Sequence, residues 1–233
     1  MSKTVVVDRG IAQGSSLGPK TFIAYTEEMD GIFAQHDVSH HCLADDTQAY
    51  THASRSQASA VANQLNTCIA DIADWCGSHR LQLNIAKTNI MRFVSSASLQ
   101  SIASSDRSVI VGQDTIEACD SARNLSMQLD CEMSMQAQIT KTMQICFFHL
   151  RHLRQVRRLL GCQVSAQLVS AFVISRLDYG NATLSGLPLS TLAPLPRVLN
   201  AAARLVCDLH PREHVTSALI DLHWLPVAAR IEF

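Results

Sequence analysis

The sequence feature that most constrains the fold is a pair of adjacent carboxylates, Asp45 and Asp46, that lies between two short apolar runs. On a regular strand, neighbouring side chains point to opposite faces of the sheet. Two adjacent carboxylates therefore serve a common site only where the backbone turns. The pattern predicts two short strands over residues 38–50, with the pair at the tip of their hairpin. Taken alone, an Asp-Asp pair is also typical of a solvated turn.

The composition indicates a globular protein without a general affinity for polyanions. The chain has 233 residues, of which 47% are hydrophobic and 17% are charged, which is enough for one large or two small cores. Lys and Arg total 19 against 20 Asp and Glu, so a nucleic-acid site must come from local clustering. Scattered cysteines without a Cys-x-x-Cys pair favour a reducing compartment. With no signal-like N-terminus and no bilayer-length apolar run, we expect a soluble intracellular protein with no membrane partner.

The hydrophobic periodicity predicts an α+β fold that changes character along the chain. In the first part we expect a helix from Pro19 to about Phe33, and a long helix that Ser54 caps and that ends near Gly77. Strands are predicted at residues 4–7, 81–84 and 90–94, and as a pair near 109–111 and 124–129. Helices are predicted at residues 133–160, 165–177, 190–206 and after 212. The predicted units are residues 1–130, rich in strands, and residues 131–233, all helical.

Three segments stand in a fixed order along the first unit: Gly10–Pro19, Cys42–Gln48, and Leu81–Asn84 followed by Lys87-Thr88. Their order and spacing resemble the central motifs of reverse transcriptases from LINE-type (non-LTR) retrotransposons. Later segments are also similar to that family, at Arg123–Asp130, Ser175–Tyr179, Ala202–Val206 and Leu222–Val227. The resemblance implies a partial polymerase palm, an antiparallel sheet with packed helices, followed by an all-helical thumb-like region.

The resemblance also implies an RNA-directed DNA polymerase site. It makes Asp45 and Asp46 ligands of Mg²⁺, a hard cation that prefers oxygen donors, in a two-metal nucleotidyl transfer. Lys87 would protonate or neutralise the leaving pyrophosphate, and the loop of Gln13, Gly14 and Ser15 would position template and nucleotide. The implied partners are an RNA template, a DNA primer and a dNTP, and the implied location is nuclear.

A local basic cluster follows in the second unit, and the residues alone leave its role open. It consists of Lys141, Arg151, Arg154, Arg157 and Arg158. By resemblance these residues would contact the phosphates of the template and primer, but a solvated helix face has the same pattern. Cys146, His149 and His152 invite a zinc site, but positions six apart on a helix lie on different sides, which argues against one ion binding all three.

The sequence also departs from the resemblance. The family's metal site needs a further Asp on a strand upstream of the glycine-rich loop, and Asp8, which we expect to be a turn residue, is the sole carboxylate there. Ala12, Leu43 and Ser126 stand where the family usually has Pro, Tyr and Gly. These departures predict an N-terminally truncated, inactive derivative of the polymerase. The alternatives are an active polymerase domain and a non-catalytic remnant that binds nucleic acid or another partner.

Overall fold

The computed structural model describes residues 14–95, 108–112 and 114–232. The strand predicted at residues 4–7, Asp8, Gln13 and most of the serine-rich loop lie outside the described residues. The chain divides into two compact units, Met1–Arg92 with Ser96–Cys119 and Phe93–Ser95 with Asp120–Phe233. In the described part of the chain, no helix has the length and apolar character needed to cross a membrane.

The first unit combines helices with two β-hairpins. Its elements are α1 (Gly18–Thr26), α2 (Glu28–Gln35), β1 (Ser39–Leu43), β2 (Asp46–Tyr50), α3 (Ala58–Ser78), β3 (Ser108–Val111) and β4 (Asp114–Glu117). The predicted hairpin over residues 38–50 is confirmed as β1 and β2. The helix predicted from Pro19 is present, but it is broken at Glu27 into α1 and α2.

The core of the first unit lies between α2, α3 and the start of β1. Met29 and Phe33 of α2 are buried against Cys68 and Ile72 of α3, and Val38 closes the cluster. These α3 residues are four positions apart, so they lie on one face of the helix. This packing fixes the base of the β1–β2 hairpin against the helices.

Several predictions for the first unit are wrong in detail. Ser54 does not cap α3: its hydroxyl donates to the Gln57 side chain at 2.7 Å, and the helix begins at Ala58. Residues 81–84 and 90–94 do not form strands, and among these residues only Ile90 makes an isolated bridge, with Ala118. The apolar side chains in 81–84 pack against the α2–α3 core instead, so their alternation reflects burial beside helices.

The predicted strands near residues 109–111 and 124–129 exist, but their predicted pairing with each other is wrong. β3 pairs with β4, and β5 (Ser121–Asn124) pairs with β6 (Met127–Asp130). Each strand thus pairs with its neighbour through a short turn, which closes a smaller loop and costs less chain entropy.

Helices dominate the second unit after the β5–β6 hairpin. They are α4 (Gln136–Val156), α5 (Cys162–Val169), α6 (Ser175–Asp178), α7 (Leu189–Leu192), α8 (Pro194–Cys207), α9 (Thr216–Asp221) and α10 (Val227–Glu232). A π-helical turn, Ser170–Ile174, joins α5 to α6. Helix was predicted for all the long segments, and that prediction is confirmed.

The core of the second unit is built around α4, α5 and α8. Cys146 of α4, Val169 of α5, and Val198 and Val206 of α8 are fully buried. Burial raises the pKa of the Cys146 thiol to about 11, although nearby Arg176 acts in the opposite direction. The thiol therefore stays protonated at neutral pH and behaves as a small apolar side chain.

The entry into α4 is organised by Asp130, the last residue of β6. Its Oδ1 accepts hydrogen bonds from the amides of Glu132 and Ser134 at 3.2 and 2.8 Å. Its Oδ2 accepts from the Met135 amide at 2.9 Å and the Ser134 hydroxyl at 3.1 Å. One carboxylate thus satisfies the backbone donors of the turn, including Met135, which is fully buried and has a positive φ of 57°.

We expect Asp130→Ala to lower the free energy of unfolding of the second unit by about 1–3 kcal/mol, because it leaves partly buried amides without acceptors. The measurement is urea unfolding followed by Trp224 fluorescence in a Trp75→Phe background, so that the signal comes from the second unit. Asp120→Ala, which removes an exposed carboxylate beside β5, is the matched control. Equal stability of the Asp130 and Asp120 variants would contradict this role.

Candidate functional site

The adjacent carboxylates occupy the tip of the β1–β2 hairpin. The strands are antiparallel with Leu43 opposite Asp46, which leaves Ala44 and Asp45 as a two-residue turn. The φ of Ala44 is 56°, in the left-handed region that a residue with a Cβ adopts at a cost, whereas Asp46 begins β2. Both carboxylates are exposed. The sequence prediction that the backbone turns at the pair is confirmed.

The base of the hairpin is anchored to α2, whereas its tip is free of packing against helices. His40 of β1 stacks on Phe33 with ring centroids 4.2 Å apart, and its Nε2 lies 2.8 Å from Oδ1 of Asp30. Further along, the Tyr50 hydroxyl lies 3.2 Å from His41 Nε2 across the two strands. The hairpin therefore holds a fixed register from its base and presents its carboxylates to solvent.

The donor type at the tip fits a hard divalent cation, but the number of donors does not complete a site. Carboxylate oxygens are the ligands that Mg²⁺ prefers. Within the described ranges, however, no group of three or more His, Cys, Asp or Glu side chains is arranged to hold a metal ion. Asp45 and Asp46 can thus supply two ligands, and a complete site needs others. We derive no catalytic step through a metal from these residues.

Lys87 ends a short 3₁₀ turn, Ile85–Lys87, in place of the predicted strand context. Its amide donates to the Asn84 carbonyl at 3.0 Å, its carbonyl accepts from Asn89 Nδ2 at 3.1 Å, and its side chain is exposed. All three predicted catalytic residues are described, and no ion pair within 4.0 Å joins Lys87 to Asp45 or Asp46. The structure therefore brings together the two carboxylates but not the lysine.

The predicted nucleotide loop leads into α1. Gly14 is exposed with a φ of 85°, and an added Cβ would meet nothing within 4 Å, so the backbone conformation rather than crowding favours glycine there. The Ser15 hydroxyl accepts the Gly18 amide at 3.0 Å at the start of the helix. Gln13, the third predicted residue, lies outside the described residues.

The basic residues of the second unit divide into exposed and committed side chains. Arg151 and Arg154 are exposed on α4, Arg158 is exposed in the turn that follows, and Lys141 is half-buried. Arg157 is different because its guanidinium hydrogen-bonds carbonyls of the second unit itself.

Arg157 binds the C-terminal end of α8. Its Nε donates to the Leu205 carbonyl and its Nη2 to the Val206 carbonyl, both at 2.9 Å, while Nη1 reaches the Leu160 carbonyl at 3.4 Å. The last carbonyls of a helix have no partner within the helix, and a cation there also complements the helix dipole. The guanidinium thus has a structural role that the sequence pattern did not reveal.

An aromatic surface that sequence reasoning missed lies beside the exposed arginines. Phe148 and Phe172 are 54% and 42% exposed. His149 stacks on Phe172 with centroids 5.2 Å apart, and Phe148 meets the ring of His152 at 4.4 Å. Burial lowers the pKa of His149, and Arg176 and His152 act in the same direction, so His149 is mostly neutral at pH 7. The available signal was Phe148 standing among basic residues.

The residues considered for zinc do not converge. The buried Cys146 thiol donates to the Val173 carbonyl at 3.8 Å, whereas His149 and His152 take part in the aromatic surface. The described residues offer no metal-binding group here. The argument from helical spacing agrees with this arrangement.

Comparison with known proteins gives the class of this α+β protein. The family model for reverse transcriptase (RNA-dependent DNA polymerase) matches residues 2–164, which is most of the chain. The chain belongs to the reverse transcriptase family. That family generally uses divalent metal ions. No match was found among curated proteins or solved structures.

We expect Arg157→Ala to destabilise the second unit by about 1–3 kcal/mol, because it leaves the carbonyls of Leu205 and Val206 without their donor. Arg154→Ala, which removes an exposed arginine from the same helix, should change stability by less than about 0.5 kcal/mol. Urea unfolding followed by Trp224 fluorescence in the Trp75→Phe background measures both. Similar effects of the two substitutions would show that the contacts of Arg157 do not stabilise the fold.

Proposed function

We propose that the β1–β2 hairpin is the carboxylate-bearing hairpin of a polymerase palm from a non-LTR, LINE-type reverse transcriptase. The observation that carries this proposal is the two-residue turn, which puts Asp45 at the tip and Asp46 directly beside it. Membership of the reverse transcriptase family supports it. In the same proposal, the helices after Cys131 are the thumb-like region.

The chemistry of nucleotidyl transfer explains the residue types in this proposal. Charge develops on the attacking 3′-oxygen and the leaving pyrophosphate, and carboxylate-bound divalent ions can stabilise both. Asp45 and Asp46 are the two Mg²⁺ ligands that this hairpin contributes. The exposed Lys87 ammonium neutralises pyrophosphate, and the loop of Gln13, Gly14 and Ser15 positions the RNA template, the DNA primer and the dNTP.

We further propose that the 233-residue polypeptide by itself does not polymerise DNA. Two exposed carboxylates hold a divalent ion weakly, and in-line displacement depends on ligand geometry that two adjacent side chains on a hairpin cannot fix alone. The described residues provide no third ligand beside the pair. The polypeptide is in this view a derivative of the polymerase rather than a working one.

Primer extension tests this proposal directly. With an RNA template, a DNA primer, dNTPs and Mg²⁺, we expect no extension by the purified chain under conditions where an active reverse transcriptase extends the primer. The Asp45→Ala, Asp46→Ala double variant should give the same background. Template-dependent synthesis by the chain that disappears in the double variant would overturn the inactive assignment and support a complete polymerase site.

The second unit favours another function, the binding of single-stranded nucleic acid without catalysis. Exposed arginines can contact phosphates, and exposed aromatic rings can stack on bases. Arg151, Arg154 and Arg176 are exposed, as are Phe148 and Phe172. We assign Lys141 and Arg158 to the same phosphate contacts, but not Arg157, whose donors are bound to carbonyls.

Fluorescence anisotropy with a labelled single-stranded RNA tests this second function. Phe148→Ala should weaken binding by about tenfold through loss of base stacking. The Arg151→Ala, Arg154→Ala double variant should flatten the slope of log affinity against log salt by about 1.4, since each lost phosphate contact releases fewer counterions.

Arg212→Ala is the control, because Arg212 is an exposed arginine of the second unit outside α4. It should leave both the affinity and the salt slope near those of the unaltered chain. An equal loss in the Arg212 variant, or binding that does not depend on Phe148, would contradict a defined surface.

A further inference from the structure

Two of the eight free cysteines meet where the start of α5 packs on the end of α8. Cys162 is the first residue of α5, and its Sγ donates to the Val206 carbonyl at 3.6 Å. Cys207 is the next residue after Val206 and the last residue of α8. Because the peptide bond is planar, this contact places Cys162 Sγ within about 6–7 Å of the Cys207 Cα.

The two thiols are accessible and lie beside a fixed cation. Cys162 is exposed and Cys207 is partly exposed. Arg157 Nη2 donates to the same Val206 carbonyl oxygen that accepts from Cys162, so the guanidinium lies next to the Cys162 thiol. A positive charge beside a thiol favours the thiolate, which is the reactive form.

The electrostatics of Cys207 independently indicate that the two thiols are neighbours. Burial raises the pKa of the Cys207 thiol, and Cys162 and Asp221 act in the same direction, while Arg157 acts in the opposite one. Cys207 is therefore the thiol that stays protonated longer. This difference suits a pair in which one sulfur is oxidised first and the other resolves it.

We propose that Cys162 and Cys207 form a peroxide-sensitive dithiol that closes to an intramolecular disulfide. The Cys162 thiolate attacks hydrogen peroxide, the O–O bond breaks, and a sulfenic acid forms with release of one water. The Cys207 thiol then attacks that sulfur, the S–S bond forms, and a second water leaves. Two thiols and one peroxide thus give one disulfide and two waters.

The fold tolerates this bond because its other contacts at this point remain. Disulfides bridge Cα atoms about 4.4–6.8 Å apart, and the Cys162 contact already brings the two residues near that range. When Cys162 Sγ turns from the Val206 carbonyl to Cys207, that carbonyl keeps its bond to Arg157. The disulfide would fasten the start of α5 to the end of α8.

Peptide mapping by mass spectrometry without reduction, after treatment of the full chain with hydrogen peroxide, tests the proposal. We expect a linked peptide that contains Cys162 and Cys207 and lacks two hydrogens, on a chain that runs as a monomer in a non-reducing gel. Cys162→Ser and Cys207→Ser should each abolish the linked peptide. Cys42→Ser, which removes an exposed cysteine of the first unit, should leave it unchanged.

Thermal unfolding gives a second, independent measurement. The oxidised chain should unfold at a midpoint several degrees above the reduced chain, and this difference should vanish in Cys162→Ser. Oxidation of Cys162 to sulfinic acid without a link, or a link from Cys162 to another chain, would overturn the proposal.

Discussion

The two-residue turn at Ala44 and Asp45 is the constraint on which the candidate site depends. The pairing of Leu43 with Asp46 fixes which residue stands at the tip and which begins the returning strand. A register slip of one residue would move every side chain of a strand to the opposite face and separate the two carboxylates. The stacking of His40 on Phe33 and its contact with Asp30 hold the base of the hairpin in this register.

In the second unit, charged residues serve the backbone as well as the surface. Asp130 satisfies amides at the entry to α4, and Arg157 satisfies carbonyls at the end of α8. A chain with nearly balanced charge can therefore present a local basic and aromatic surface only through the arginines that remain exposed. Arg151 and Arg154 lie on the same helix that leads to Arg157, yet burial gives them a different role.

The parts of the fold that were predicted correctly are those set by local patterns. The hairpin followed from the turn that paired carboxylates require, and α3 ended near Gly77 as its periodicity predicted. The strands predicted at residues 81–84 and 90–94 failed because apolar alternation also arises beside a helical core. The bonds from Arg157 to Leu205 and Val206 join residues far apart in sequence, so no local pattern could reveal them.

The most direct test of the central claim is paramagnetic broadening of backbone NMR signals by Mn²⁺, which substitutes for Mg²⁺ at oxygen sites. If Asp45 and Asp46 act together, excess Mn²⁺ should broaden signals most strongly at residues 44–47. The Asp45→Asn, Asp46→Asn variant should lose that broadening and keep the hairpin's chemical shifts. Broadening that is absent from the hairpin, or that persists in the variant, would contradict a metal-binding role for the pair.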